Sequence, residues 1–337
     1  MDFDVFNGDA DGIIALHQLR LAEPRPGARL ISGVKRDIDL LKRVVGQVVD
    51  QPAGRVTVLD ISLDRNRAEL LNLLEAGCTV FYADHHFSGD IPDHPALEAH
   101  IDPGSDVCTG LIVDRLLNGA FRGWAVAAAF GDNLHEAAGR AAAGLFGEAE
   151  LACLREVGEL LNYNGYGAAM EDLFFPPQEM YRAIMPFRDP LEFHARSPAL
   201  AVLRRGFHDD MARAAAHPPI RETAAGRVFM LPAESWARRV AGVFSNDMAR
   251  QRRDLAHGLI IPNKDGTLLI SVRAPLRRKE GADRLCRLFP SGGGRAAAAG
   301  INQLPPGLLD EFLDCFEEIF QPEDPETRKD GMMAYRH

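Results

Sequence analysis

Apolar positions along this chain fall into two alternating rhythms. Phe3-Asp4-Val5-Phe6, Leu30-Ile31-Ser32-Gly33-Val34, Val56-Thr57-Val58-Leu59 and Cys78-Thr79-Val80-Phe81-Tyr82 are short runs of β-branched, aromatic and aliphatic residues, and read as buried strands. Between them, Ile13 to Leu21, Ile38 to Val49 and Asn66 to Leu74 have helical spacing, and Gln51-Pro52-Ala53-Gly54 reads as a turn. Strand and helix alternate about every 25 residues, the mark of a parallel α/β sheet. From Phe121 to Tyr163 the Ala- and Leu-rich chain predicts helices, and residues 164 to 220 predict helices punctuated by Pro176-Pro177 and Pro218-Pro219. Leu200 to Ala215 predicts a linking helix. A smaller α/β domain then starts near Ile220, with strands at Val228 to Leu231, Gly258 to Pro262 and Thr267 to Arg273, and helices at Ser235 to Arg252 and Leu304 to Phe320.

The polar residues that follow the strands change the picture. The first strand runs into Asn7-Gly8-Asp9-Ala10-Asp11-Gly12, the third into Asp60, and the fourth into Ala83-Asp84-His85-His86. In a parallel sheet the C-terminal strand edge is where ligands bind. Carboxylates collected there repel one another, so a cation is the economical explanation. Two imidazoles and carboxylates suit a divalent ion such as Mn, Zn or Fe. The helix that begins near Asp11 points its positive N-terminus at the same place. His17, inside that helix, reads as a packing residue. Asp132 interrupts the apolar run Trp124 to Phe130, where an unpaired carboxylate would be costly, and reads either as a ligand or as a helix N-cap.

With Asp9-Ala10-Asp11-Gly12, Asp60, Asp84-His85-His86, Asp132 and the glycine-rich Ser291-Gly292-Gly293-Gly294-Arg295-Ala296-Ala297-Ala298-Ala299-Gly300, the sequence resembles the DHH phosphoesterases over about residues 1 to 302. The resemblance rests on the order and spacing of these motifs. It implies a parallel-sheet DHH domain over residues 1–190, a helical linker over 191–219 and a DHH-associated substrate domain over 220–320. The polar stretch 321–337 predicts a disordered tail. It also implies metal-assisted phosphodiester hydrolysis, with one or two Mn²⁺ (Mg²⁺ as the substitute) on Asp9, Asp11, Asp60, His85 and Asp132, Asp60 bridging. Asp84 would orient a metal-bound imidazole and His86 would face the substrate. Substrate contacts fall to Asn7, Thr109, Arg273, Gly292, Gly293, Gly294 and Arg295, though Thr109 reads equally well as a helix cap. The three glycines would let a phosphate approach an anion-binding nest, with the alanines packing as a helix beneath it.

Two departures from the family stand out. Some branches place a histidine four residues before the first aspartate, where this chain has Val5; RecJ-type members keep an acid where Asn7 stands. One metal site is therefore expected to be weak or absent. The glycine signature usually ends in histidine, and here it ends in Arg295, which keeps phosphate affinity but cannot serve as an acid.

Composition adds limits. The net charge of −10 argues against a long duplex-binding surface, yet residues 221 to 300 carry 15 Lys and Arg against 7 Asp and Glu. An acidic catalytic half and a basic half fit a metal centre and a small phosphate-rich ligand. Five unclustered cysteines, no signal-peptide pattern and no 18-residue apolar run predict a cytoplasmic protein without a membrane partner. The leading expectation is a nanoRNase-like phosphodiesterase for short single-stranded oligonucleotides or dinucleotides, held between two domains. Oligomeric state is left open, with a homodimer compatible. A RecJ-like exonuclease and a pyrophosphatase-like enzyme are the nearer alternatives, the latter for Pro275-Leu276-Arg277-Arg278-Lys279. The alternative from another class is a nucleotide-binding regulator with little turnover, motivated by Val5 and Arg295.

Overall fold

A computed structural model describes residues 1–48 and 54–322. The chain divides into two units, Met1–His208 and a second that begins at Asp209. In the first, β1 (Phe3–Phe6), β2 (Arg29–Ser32), β3 (Arg55–Leu59), β4 (Thr79–Asp84) and β5 (Leu97–Ile101) form one sheet in the order β2-β1-β3-β4-β5. Every pairing is parallel. Phe6 lies level with Ser32 and Leu59, and Leu59 with Ala83. The strands thus end together, and whatever follows each emerges at one edge.

Helices α1 (Ala10–Ala22), α2 (Leu41–Val48) and α3 (Arg67–Glu75) join the first four strands. After β5 come α4 (Thr109–Leu116), α5 (Arg122–Gly131), α6 (His135–Ala142), α7 (Glu148–Gly165), α8 (Pro177–Ile184), α9 (Pro190–Arg196) and α10 (Pro198–Ala215). Strand alternation splits the core in two. Phe3, Val5, Val56, Val58, Val80 and Tyr82 face the Leu and Val side chains of α2 and α3. Phe6, Leu59, Phe81 and Ala83 face the apolar sides of α1, α4 and α5, including the fully buried Trp124. His17 is buried there too, its Nε2 2.8 Å from the Phe187 carbonyl and its ring edge-on to Trp124, as a packing residue should be.

The second unit holds β6 (Arg221–Glu222), β7 (Gly226–Met230), β8 (Ala256–Pro262), β9 (Leu268–Arg273), β10 (Gly292–Arg295) and β11 (Ala298–Leu304), in the order β10-β11-β9-β8-β7-β6. Only β7 and β8 pair in parallel. Helices α11 (Ser235–Gln251), α12 (Ala282–Cys286) and α13 (Leu309–Phe320) complete it. Val228, Ile260, Ile270 and Ile301 share a core with Leu285, Phe312 and Phe316. The α/β class with two sheets is thus as expected.

Several local expectations are corrected. The glycine–alanine run is a β-hairpin, β10 with β11, not a nest above a helix. Extended pairing with β9 outweighs alanine's helical preference, because Ala299 and Ile301 are buried in the sheet's core. Leu304 ends β11, and the last helix starts only at Leu309. β5 and α12 were not anticipated. Val49, most of the turn at 51–54 and the tail from residue 323 lie outside the described residues. Among the described residues no helix is long and apolar enough to cross a membrane.

Candidate active site

The level strand ends of the first unit bring the acidic motifs together. Asp9 caps α1: its Oδ1 accepts from the Asp11 and Gly12 amides at 3.0 and 3.1 Å. Its Oδ2 lies 2.6 Å from Lys35 Nζ. Asp11 reaches the start of α4, where its two oxygens accept from the Thr109 and Gly110 amides, both at 2.7 Å. Thr109 is fully buried and its hydroxyl donates to Asp60 Oδ1 at 3.3 Å. It therefore supports the carboxylates from the first turn of α4, whose cap position is Cys108.

Asp60 leaves β3 with φ +58, a left-handed backbone that a non-glycine residue adopts only when its surroundings compel it. Its Oδ1 lies 3.4 Å from His85 Nε2 and 4.0 Å from His86 Nδ1. Among the described residues, Asp60, His85 and His86 form a trio whose ligand atoms lie within 4.8 Å of one another. Asp132 joins from the C-terminal end of α5, not from an N-cap, with Oδ2 3.7 Å from His85 Nε2 and Oδ1 3.6 Å from Lys35 Nζ. Asp84 binds His86, whose Nδ1–H donates to Asp84 Oδ1 at 2.7 Å, so His86 and not His85 is the imidazole it orients.

The electrostatics show a surplus of negative charge. Burial, with the charges of Asp9 and Asp11, pushes Asp60 well above the ordinary carboxylate range. Burial likewise raises Asp132 to about 6, against the pull of Lys35. Burial works against ionising Asp9, but Lys35 overcomes it and holds that carboxyl low. The hydrogen bond to Asp84 raises His86 to about 9, and the surrounding carboxylates raise His85 in spite of its burial. Asp84 Oδ2 and Asn7 Oδ1 are buried without a hydrogen-bond partner. A mixed carboxylate–imidazole donor set that drives protons onto its own members fits a borderline divalent cation, which would displace them.

Lys35, Asn162 and Tyr166 are the residues that sequence reading missed. Lys35 Nζ donates to Asn162 Oδ1 at 3.1 Å and lies 5.6 Å from the Tyr166 ring centre. Burial would lower its pKa, but Asp9, Tyr166 and Asp132 carry it well above the usual value. Its position three residues beyond β2, at the same edge as the motifs, was the available signal. Asn162 and Tyr166, at the end of α7, had none. Asn7 sits in the site wall, its Nδ2 3.4 Å from the Lys35 carbonyl.

In the second unit Arg273 and Arg295, both predicted to bind phosphate, share one face of the sheet. Arg295 pairs with Ala298, Ala298 with Arg273, Arg273 with His257, and His257 with Arg227, a row across five strands. Arg273 is braced by Asn246, which accepts from its Nε at 2.8 Å, and Arg295 is exposed. A Cβ on Gly292 would lie 1.8 Å from the Cys286 carbonyl, and Gly294 has φ +139. These two glycines serve the hairpin's geometry. Gly293 faces open space.

No known family profile and no curated protein matches the sequence. Solved structures do resemble the fold. One is exonuclease RecJ bound to manganese, with TM-score 0.57 and 18% identity over 94% of this chain and 89% of that one. RecJ with Mn²⁺ from Thermus thermophilus has TM-score 0.56 and 19% identity over 94% of this chain, which spans only 51% of that protein. The pGpG-specific phosphodiesterase PggH from Vibrio cholerae has TM-score 0.50 and 12% identity, over 94% of this chain and 98% of that one. With the strand-end aspartates and the Asp84-His85-His86 motif in place on a parallel sheet, the chain has the fold of the DHH phosphoesterases.

Proposed function

We propose that the chain is a divalent-metal-dependent phosphodiesterase that hydrolyses short oligonucleotides or dinucleotides. The observation that carries the reading is the meeting of Asp60, His85, His86 and Asp132 at one sheet edge, with protons driven onto a donor set suited to Mn²⁺ or Mg²⁺. Asp9, Asp11, Asp60, His85 and Asp132 are the residues that would hold metal. A bound ion would acidify a water and draw charge from the phosphoryl oxygens. Asp84 holds the His86 ring by Nδ1, leaving Nε2–H to donate to a phosphoryl or leaving oxygen as charge develops there. Arg273 and Arg295 offer guanidinium groups to a phosphate that is not cleaved. The manganese-bound RecJ structures and the activity named for PggH support the metal and the substrate class.

The test is hydrolysis of a 5′-phosphorylated dinucleotide with Mn²⁺, abolished by a chelator and restored by added metal. Val5 and Arg295 favour a second reading, a nucleotide-binding protein without turnover. Tight binding with no hydrolysis at any Mn²⁺ concentration would select that one.

A further inference from the structure

The ammonium of Lys35 lies where two expected metal ligands converge. It is 2.6 Å from Asp9 Oδ2 and 3.6 Å from Asp132 Oδ1, and it donates to Asn162 Oδ1 at 3.1 Å. Three N–H groups thus face three oxygens from three different elements, with the Tyr166 ring alongside. Asp132 is divided: Oδ1 faces the ammonium and Oδ2 faces His85. That is how a carboxylate shared between two cations is placed.

The first-strand donors are already occupied by the protein. Asp9 Oδ1 takes two amides, and both oxygens of Asp11 take the amides that open α4. Val5, where some family branches have a histidine, is fully buried in an apolar core, and Asn7 is neutral. The ligand atoms left close together are those of Asp60, His85 and His86.

We propose that Lys35 is a built-in cation, taking the place between Asp9 and Asp132 that a second divalent ion would fill, so that the centre holds one ion, on Asp60, His85 and the Asp132 oxygen that faces His85. This rests on the metal-dependent reading above. A lysine ammonium is a compact point charge with three donors, and a chelator cannot remove it. It supplies half the charge of a divalent ion, which suits a pocket with one fewer ionised ligand.

The test counts ions and does not depend on turnover. The chain is stripped with chelator, titrated with Mn²⁺ and analysed by elemental analysis and electron paramagnetic resonance. The wild-type chain is expected to take one ion, with a mononuclear spectrum lacking exchange coupling. Lys35→Ala should take two, the second more weakly, and Lys35→Arg one. If Lys35→Ala does not fold, Lys35→Gln removes the charge with less loss of volume and should also take two. A wild-type chain that binds two coupled ions overturns the role of Lys35 while leaving the metal-dependent reading intact. Neutral variants that fold and still take one ion do the same. A wild-type chain that takes none overturns both.

Discussion

In the first unit the charged side chains that matter stand at the ends of strands; in the second they stand in a row across them. The difference follows from strand direction. Parallel strands in level register all release their next residues at one edge, so Asp9, Asp60 and Asp84-His85-His86 converge from separate stretches of chain. A largely antiparallel sheet sends successive loops to opposite edges and cannot collect them. It aligns positions across the ladder instead, as with Arg295, Arg273, His257 and Arg227. Convergence buries carboxylates side by side, so burial first and then their like charges push Asp60 and Asp132 up, and Lys35 stands among them as a cation. Alignment spaces the charges at about 5 Å per strand, which puts Arg273 and Arg295 two strand spacings apart. One sheet gathers imidazoles and buried carboxylates at its edge, and the other sets basic side chains in a row across its face.

The comparison breaks most visibly at Asp60. Asparagine keeps the size and tolerates the left-handed backbone at φ +58, so Asp60→Asn isolates the charge. Turnover of the dinucleotide should fall roughly 10³-fold or more, with loss of bound Mn²⁺. Stability should move the other way. A carboxyl raised above its unfolded value opposes folding once the pH exceeds that value, so the metal-free variant should melt higher than the metal-free wild type at pH 7. A variant that keeps its Mn²⁺ and stays within tenfold of wild-type turnover would place the reactive edge elsewhere.

Much of this was legible because strand runs are local. Phe3–Phe6, Arg55–Leu59 and Thr79–Asp84 announce themselves by apolar residues, and the residue after each run is fixed by counting. Lys35 offered only its place just beyond β2, since a lysine after a strand looks solvated until Asp9, Asp132 and Asn162 arrive from elsewhere in the chain. β5 escaped because Glu98 and His100 give an edge strand a polar look. Residues 292–304 were misread because glycine and alanine carry no strand signal of their own, and only the ladder to β9 makes them extended.

Acid should weaken both units through one histidine each. His17 is depressed by burial to about 4, and His257 to about 4 by burial and Arg227. The folded chain refuses a proton that the unfolded chain accepts at 6.5, so stability is intact above pH 6.5 and falls as the pH drops toward 4. The His17 share approaches about 3 kcal/mol at the low end. Chemical denaturation between pH 7 and 4 checks it. A shallower profile for a His17→Phe variant than for the wild type would assign the His17 share, and an unchanged slope would remove it.

A smaller effect is expected at Arg295. A guanidinium can engage two phosphate oxygens, and such a charge-assisted contact is worth about 1.5–3 kcal/mol. Arg295→Ala should raise KM for a 5′-phosphorylated dinucleotide roughly tenfold or more with little change in kcat, because the held phosphate is not the one cleaved. An unphosphorylated dinucleotide should suffer much less. Equal losses on both, or a collapse of kcat alone, would remove the anion-binding role from this face.

The smallest effect separates the two histidines. They titrate near the same value for different reasons: burial holds His17 neutral although the Phe187 carbonyl favours its charged form, whereas His257 also has Arg227 beside it. Arg227 Nη2–H donates to His257 Nε2 at 3.3 Å, which occupies the lone pair a proton would need, and its charge repels the imidazolium. Arg227→Met keeps an unbranched apolar side chain, replaces the guanidinium that lies 5.5 Å from the Phe229 ring centre, and removes both influences. The His257 pKa should then rise, but by less than the distance back to 6.5, because burial is the larger cause and persists. His17, in the other unit, should not move. Ring-proton NMR titration of the two imidazoles reads both at once. If His257 also stays in place, burial alone governs it, and the row of basic residues is a matter of register without electrostatic coupling.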